Sequence, residues 1–129
     1  MTKTKTASPK LTESQMMALY LKGDMAGKSL AAACVPAPMT VVDTISGKVY
    51  EPIAAGVCGF AWVKIRPGTS SFAKFLVRKG IARRSYSGGV DIWISAYGQS
   101  YEKKLAYARG MAGVLAEAGF DAYASGRLD

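Results

Sequence analysis

The chain has no histidine, which removes His-based catalytic triads, most zinc sites and proton shuttles working near neutral pH. Its two cysteines, Cys34 and Cys58, lack the paired spacing of a metal site and are expected to be reduced, buried small hydrophobes. No run approaches the ~20 apolar residues of a membrane span. The opening MTKTKTASPK is polar and basic, with no apolar segment behind it to suggest a signal peptide. These absences lead to the expectation of a cytoplasmic protein with no membrane contact, no metal and no cofactor. Acid is scarce as well: 9 Asp plus Glu stand against 17 Lys plus Arg. None lies between Glu51 and Asp91, a stretch that holds Lys64, Arg66, Lys74, Arg78, Lys79, Arg83 and Arg84. So long an acid-free stretch favours a polyanion or an acidic protein surface as partner.

What is present suits one folded domain. Half of the 129 residues are apolar, enough to bury a core. Residues 1–10, with Lys3, Lys5 and Lys10 among Thr, Ser and Pro, read as a disordered basic arm. Residues 11–55 read as a helical extension and linker. Thr12 and Gln15 form a capping-box signature ahead of Met16, Met17, Leu19 and Tyr20. Gly23 is the expected stop, with a second helical stretch from Asp24 to Ala33 and a weak hairpin or linker from Val41 to Ala55.

The pattern sharpens in residues 56–129. Phe60 to Arg66 reads as a strand ending at Pro67-Gly68, and Ser70 or Ser71 caps a helix with Phe72, Phe75 and Leu76 on its apolar face. Ile81 to Tyr86 and Val90 to Tyr97 flank Ser87-Gly88-Gly89 as a hairpin. Ser100 caps the last helix, which carries Leu105, Ala108, Ala112 and Leu115 and closes at Gly119. Asp121 to Ser125 forms a short final strand. The order βαββαβ over residues 59–129 predicts an α+β, ferredoxin-like sandwich with the N-terminal helical extension added.

Strand alternation then separates two faces. Ala61, Val63 and Ile65 with Val90, Ile92, Ile94 and Ala96 suit the helix-covered side. Phe60, Trp62, Lys64 and Arg66, with Trp93, Tyr97 and Tyr123, suit the open side. Aromatics interleaved with cations fit single-stranded nucleic acid, whose bases stack and whose phosphates need neutralising. Lys74 and Arg78 on the first helix of this region, with Arg83 and Arg84 on the hairpin, extend the cationic set. The plainer expectation is that residues 11–55, or a partner subunit in a homodimer, cover this face.

Other motifs carry less. Gly23-Asp-Met-Ala-Gly27-Lys28-Ser29 has three residues between its glycines where a phosphate-binding loop needs four, so these glycines read as helix breakers. Glu102, Glu117 and Asp121 fall at helix ends and turns, Ser95 and Tyr97 lack a base, and Lys103-Lys104 reads as a solvated face. No catalytic residue is assigned.

Gly56-Val-Cys-Gly-Phe-Ala-Trp-Val-Lys-Ile65, Tyr97-Gly-Gln-Ser-Tyr-Glu-Lys-Lys-Leu-Ala-Tyr-Ala108 and Ala122-Tyr-Ala-Ser-Gly-Arg-Leu-Asp129 resemble segments of small proteins encoded by tailed bacteriophages. The resemblance covers residues 35–129 and implies action by binding inside a bacterial host, with no catalytic residues attached. The expected function is nucleic-acid binding of low sequence specificity; the alternatives are inhibition of a host enzyme or defence complex, and a minor virion component.

Overall fold

The computed structural model describes residues 10–35, 58–98 and 100–128. The expected N-terminal arm and the hairpin or linker of residues 41–55 lie outside them. The described elements are α1 (Glu13–Ala33), β1 (Gly59–Arg66), α2 (Ser71–Arg78), β2 (Arg83–Arg84), β3 (Val90–Trp93), α3 (Tyr101–Glu117) and β4 (Asp121–Leu128). The class is α+β, with one four-stranded antiparallel sheet in the order β2-β3-β1-β4.

Local chemistry sets the helix starts. Thr12 accepts a hydrogen bond from the Gln15 amide while the Gln15 side chain accepts one from the Thr12 amide, completing the capping box. Ser70 and Ser100 cap α2 and α3 through the amides three residues on. Gly80 and Gly119 close α2 and α3 with φ of 76° and 102°.

The core lies between one face of the sheet and the helices. Ala61, Val63 and Ile65 of β1 and Val90 of β3 are fully buried against Phe72, Phe75 and Leu76 of α2 and against Met111 and Leu115 of α3. The expected small apolar row is therefore the covered row, because only short branched side chains fit beneath two helices.

Several expectations are corrected. Gly23 does not end a helix: α1 is continuous over 21 residues, and Gly23 and Gly27 are buried in its interior. They are the site of contact with α3. A Cβ on Gly27 would stand 2.7 Å from the Tyr107 carbonyl oxygen, and one on Gly110 would stand 2.6 Å from the Ala26 carbonyl oxygen. Lacking side chains, these glycines let the two backbones touch, which offsets their poor helix propensity. Lys103 then donates to the carbonyls of Ala31 and Cys34, at 3.0 and 2.9 Å, satisfying the end of a helix that has no basic residue in its own last turn.

Strand lengths also differ. β2 shrinks to two residues, β3 stops at Trp93, and β4 runs on to Leu128 through what reads as a tail. Ile94 keeps one backbone bond to Ala61 and stays buried, but Ala96 is exposed and Tyr97 turns away at φ 71°. Tyr97 instead lies 6.0 Å from the Tyr107 ring. Cys58 is exposed and Cys34 half-buried, so neither is a core residue.

At the α1–α3 contact the Tyr107 hydroxyl donates to Asp24, which also pairs with Lys28 at 3.0 Å. Burial, and then the hydrogen bond to Asp24, push the Tyr107 phenol far above its ordinary range. A raised acid pKa means the folded state holds its proton longer than the unfolded chain. The corresponding stability is complete below about pH 10 and falls as the pH rises from there. Tyr107→Phe should flatten that alkaline loss in urea titrations run against pH.

The glycine contact predicts opposite signs for one kind of change. Gly110→Ala should destabilise by about 1–3 kcal/mol through overpacking. Gly113→Ala, where a Cβ meets nothing within 4 Å, should stabilise by up to about 1 kcal/mol through helix propensity. Urea midpoints measure both; equal signs would contradict the packing described.

Candidate nucleic-acid interface

α1 joins the helical layer, packing on α3 and touching α2. Among the described residues no helix or strand packs over the opposite face of the sheet. The expected cover from residues 11–55 is thus not supplied by α1, and residues 36–57 lie outside the description.

This face is built by register. Trp62 on β1 stands directly opposite Trp93 on β3, their rings 4.5 Å apart and tilted by 34°. Phe60 meets Trp93 edge-on at 6.4 Å. Such cross-strand aromatic pairs stabilise the sheet and hold each other's orientation. Guanidiniums lie on both flanks: Arg83 of β2 sits 5.3 Å from the Trp93 ring centre, and Arg127 of β4 sits 5.4 Å from that of Phe60. Arg66 lies 5.8 Å from Tyr123 on the same face. These are cation–π distances, so the arginines are oriented by the rings while remaining exposed.

Lys64 has a different place from the free cation of the expectation. It is 4% exposed, and its ammonium donates to Ser85 Oγ at 2.8 Å, Ser87 Oγ at 2.7 Å and the Gly88 carbonyl at 2.8 Å. Its charge is matched by Asp91 Oδ1 at 3.2 Å, but its three protons are spent on the turn, so that oxygen receives no hydrogen bond. Lys64 thereby fastens the β2–β3 turn over one end of the open face. The turn needs Gly88 and Gly89, at φ 95° and 71°, and a Cβ on Gly89 would lie 2.4 Å from the Ile65 carbonyl oxygen.

A groove of about 420 Å³ results, lined by Trp62, Trp93, Arg83, Tyr86 and Arg127 among others. Its size falls within the roughly 300–1,000 Å³ of small-ligand sites. Of the sequence-predicted residues, Phe60, Trp62, Arg66, Arg83 and Trp93 share this face, and Arg84 lines the groove. Lys74 and Arg78 do not join them, because α2 lies on the covered side; Arg78 pairs there with Glu13. Tyr97 is likewise elsewhere, since β3 ends before it.

Three groups were missed. Arg127 reads as tail because Gly126 precedes it, although the alternation Asp121, Tyr123, Ser125, Arg127 carries the signal. Tyr86 reads as the last residue of a strand but lies in the turn, fully exposed beside the groove. Lys104 is buried rather than solvated, donating to the Gly59 carbonyl at 3.2 Å with its ammonium 5.5 Å from the Phe60 ring centre.

Among the described residues no group of three Cys, Asp or Glu side chains is placed to hold a metal ion, and no helix is long and apolar enough to cross a membrane. No family model, curated protein or solved structure matches the chain.

Lys64→Met should lose about 3–5 kcal/mol of stability, because it leaves the Asp91 carboxylate buried without its cation. Adding Asp91→Asn should recover part of that loss in chemical denaturation. Equal losses in the two variants would show that the ion pair does not govern the turn.

Proposed function

We propose that the protein is a non-enzymatic module that binds single-stranded nucleic acid with little sequence specificity on the open face of its sheet. The observation that carries this reading is the Trp62–Trp93 pair, which no described element covers and which Arg83 and Arg127 flank. Bases stack on indoles regardless of sequence, and the guanidiniums can leave the rings for phosphates. The central position of the first and third strands supports reading residues 59–128 as a ferredoxin-like unit to which α1 is added. The phage-like segments support action in the cytoplasm of a bacterial host. A cationic ligand fits less well, since Arg83, Arg84 and Arg127 surround the groove and its one lining acid, Asp91, is neutralised by Lys64.

The test is fluorescence anisotropy with single-stranded and duplex oligonucleotides across a salt series. Trp93→Ala should weaken single-strand binding by about 1–3 kcal/mol, roughly 5- to 150-fold. Arg83→Glu with Arg127→Glu should weaken it too and flatten the salt dependence. Lys74→Glu with Arg78→Glu, on the other side of the molecule, should weaken binding less than the sheet-face pair and leave the tryptophan contribution intact, because it changes only the general field. If the helix pair of substitutions removes binding and the sheet substitutions do not, the site belongs on α2. If no oligonucleotide binds at low salt, the reading fails and a protein partner takes its place.

A further inference from the structure

The two edges of the sheet are built differently. β2 is two residues long and both are exposed arginines, a short charged edge that resists pairing with another strand. β4 is eight residues long, has no proline and no lysine, and among the described residues pairs with β1 alone. Ala122, Ala124, Ser125 and Gly126 are small, and Tyr123, the one large residue in its middle, points to the aromatic face rather than along the edge. Such an edge is a template for strand addition.

Its charges choose the partner. Asp121 and Arg127 are the only charged residues of β4, they have opposite sign, and both lie on the aromatic face, opposite Arg66 and Phe60 of β1. In an antiparallel pairing of two β4 strands centred on Ala124, Asp121 of each copy stands opposite Arg127 of the other. Tyr123 then stands opposite Ser125, and Ala124 opposite its own equivalent. Opposite charges directly across a strand pair are favourable, and a two-fold interface requires self-complementarity of this sort. The same register puts Leu128, 61% exposed as it stands, opposite the position of Phe120, the residue before the other strand.

We infer that β4 is a homodimerisation edge, joining two sheets into one of eight strands with both aromatic faces on the same side. This goes beyond the nucleic-acid reading and does not depend on it. The test is sedimentation equilibrium of the nucleic-acid-free protein over a range of concentrations, with charge-reversed variants. The wild-type chain should approach twice its monomer mass. Arg127→Asp alone and Asp121→Arg alone each set like charges opposite one another at both ends, and each should shift the equilibrium to monomer. The double variant, Asp121→Arg with Arg127→Asp, restores opposite pairs in the same register and should restore the dimer. A wild-type chain that stays monomeric, single variants that dimerise as well as wild type, or a double variant that stays monomeric would each overturn the inference.

Discussion

The backbone contact between α1 and α3 decides what the rest of the molecule can do. A 21-residue helix apolar on more than one side has to be placed somewhere, and the open face of a one-sided sheet is the obvious place. Gly23, Gly27 and Gly110 offer a closer fit. Where they meet, the two helices approach until carbonyl oxygens lie within about van der Waals reach of the opposing backbone. α1 therefore enters the helical layer and leaves the tryptophans without cover from any described element.

The second constraint is the buried Lys64–Asp91 pair. A charge pair taken out of water adds little net stability compared with apolar packing, but it specifies geometry because every one of its partners has to be in position. Here the partners are Ser85, Ser87 and Gly88, so the pair ties to β1 a loop whose own backbone bonds are the two residues of β2 and those of Ser85 with Gly88 and Gly89. Arg83 and Tyr86 owe their positions beside Trp93 to that fastening. The aromatic row is ordered in turn by direct cross-strand register, which leaves side-chain planes and guanidiniums arranged before any ligand arrives.

Much of this was legible in the sequence where one residue type has one physical meaning. The three N-caps, the small apolar row of β1 and the aromatic row opposite it follow from capping chemistry and two-residue alternation. Glycine was harder, because a helix-breaking and a helix-contacting glycine are the same residue. The four-residue spacing of Gly23, Gly27 and Ala31 puts them on one helical face, and that was the available signal. Lysine posed a similar difficulty. Lys64, Lys103 and Lys104 each bury their stems and end on carbonyls or hydroxyls from distant parts of the chain, contacts that local pattern cannot reveal. Strand ends were misplaced for a related reason: Tyr97 has the composition of a strand residue but takes a left-handed backbone beside Tyr107, and β4 continues past Gly126 because a side chain there would meet Tyr101.

The chain contains two tryptophans, and both lie in the proposed site. Their indole N–H signals in a proton–nitrogen correlation spectrum therefore report on that face directly. On adding a short single-stranded oligonucleotide, both signals should shift, together with the backbone amides of β1, β3 and the β2–β3 turn, while those of α1 and α2 stay in place. Two indole signals that remain unmoved while amides of α2 shift would contradict the account, because binding would then be on the covered side of the molecule.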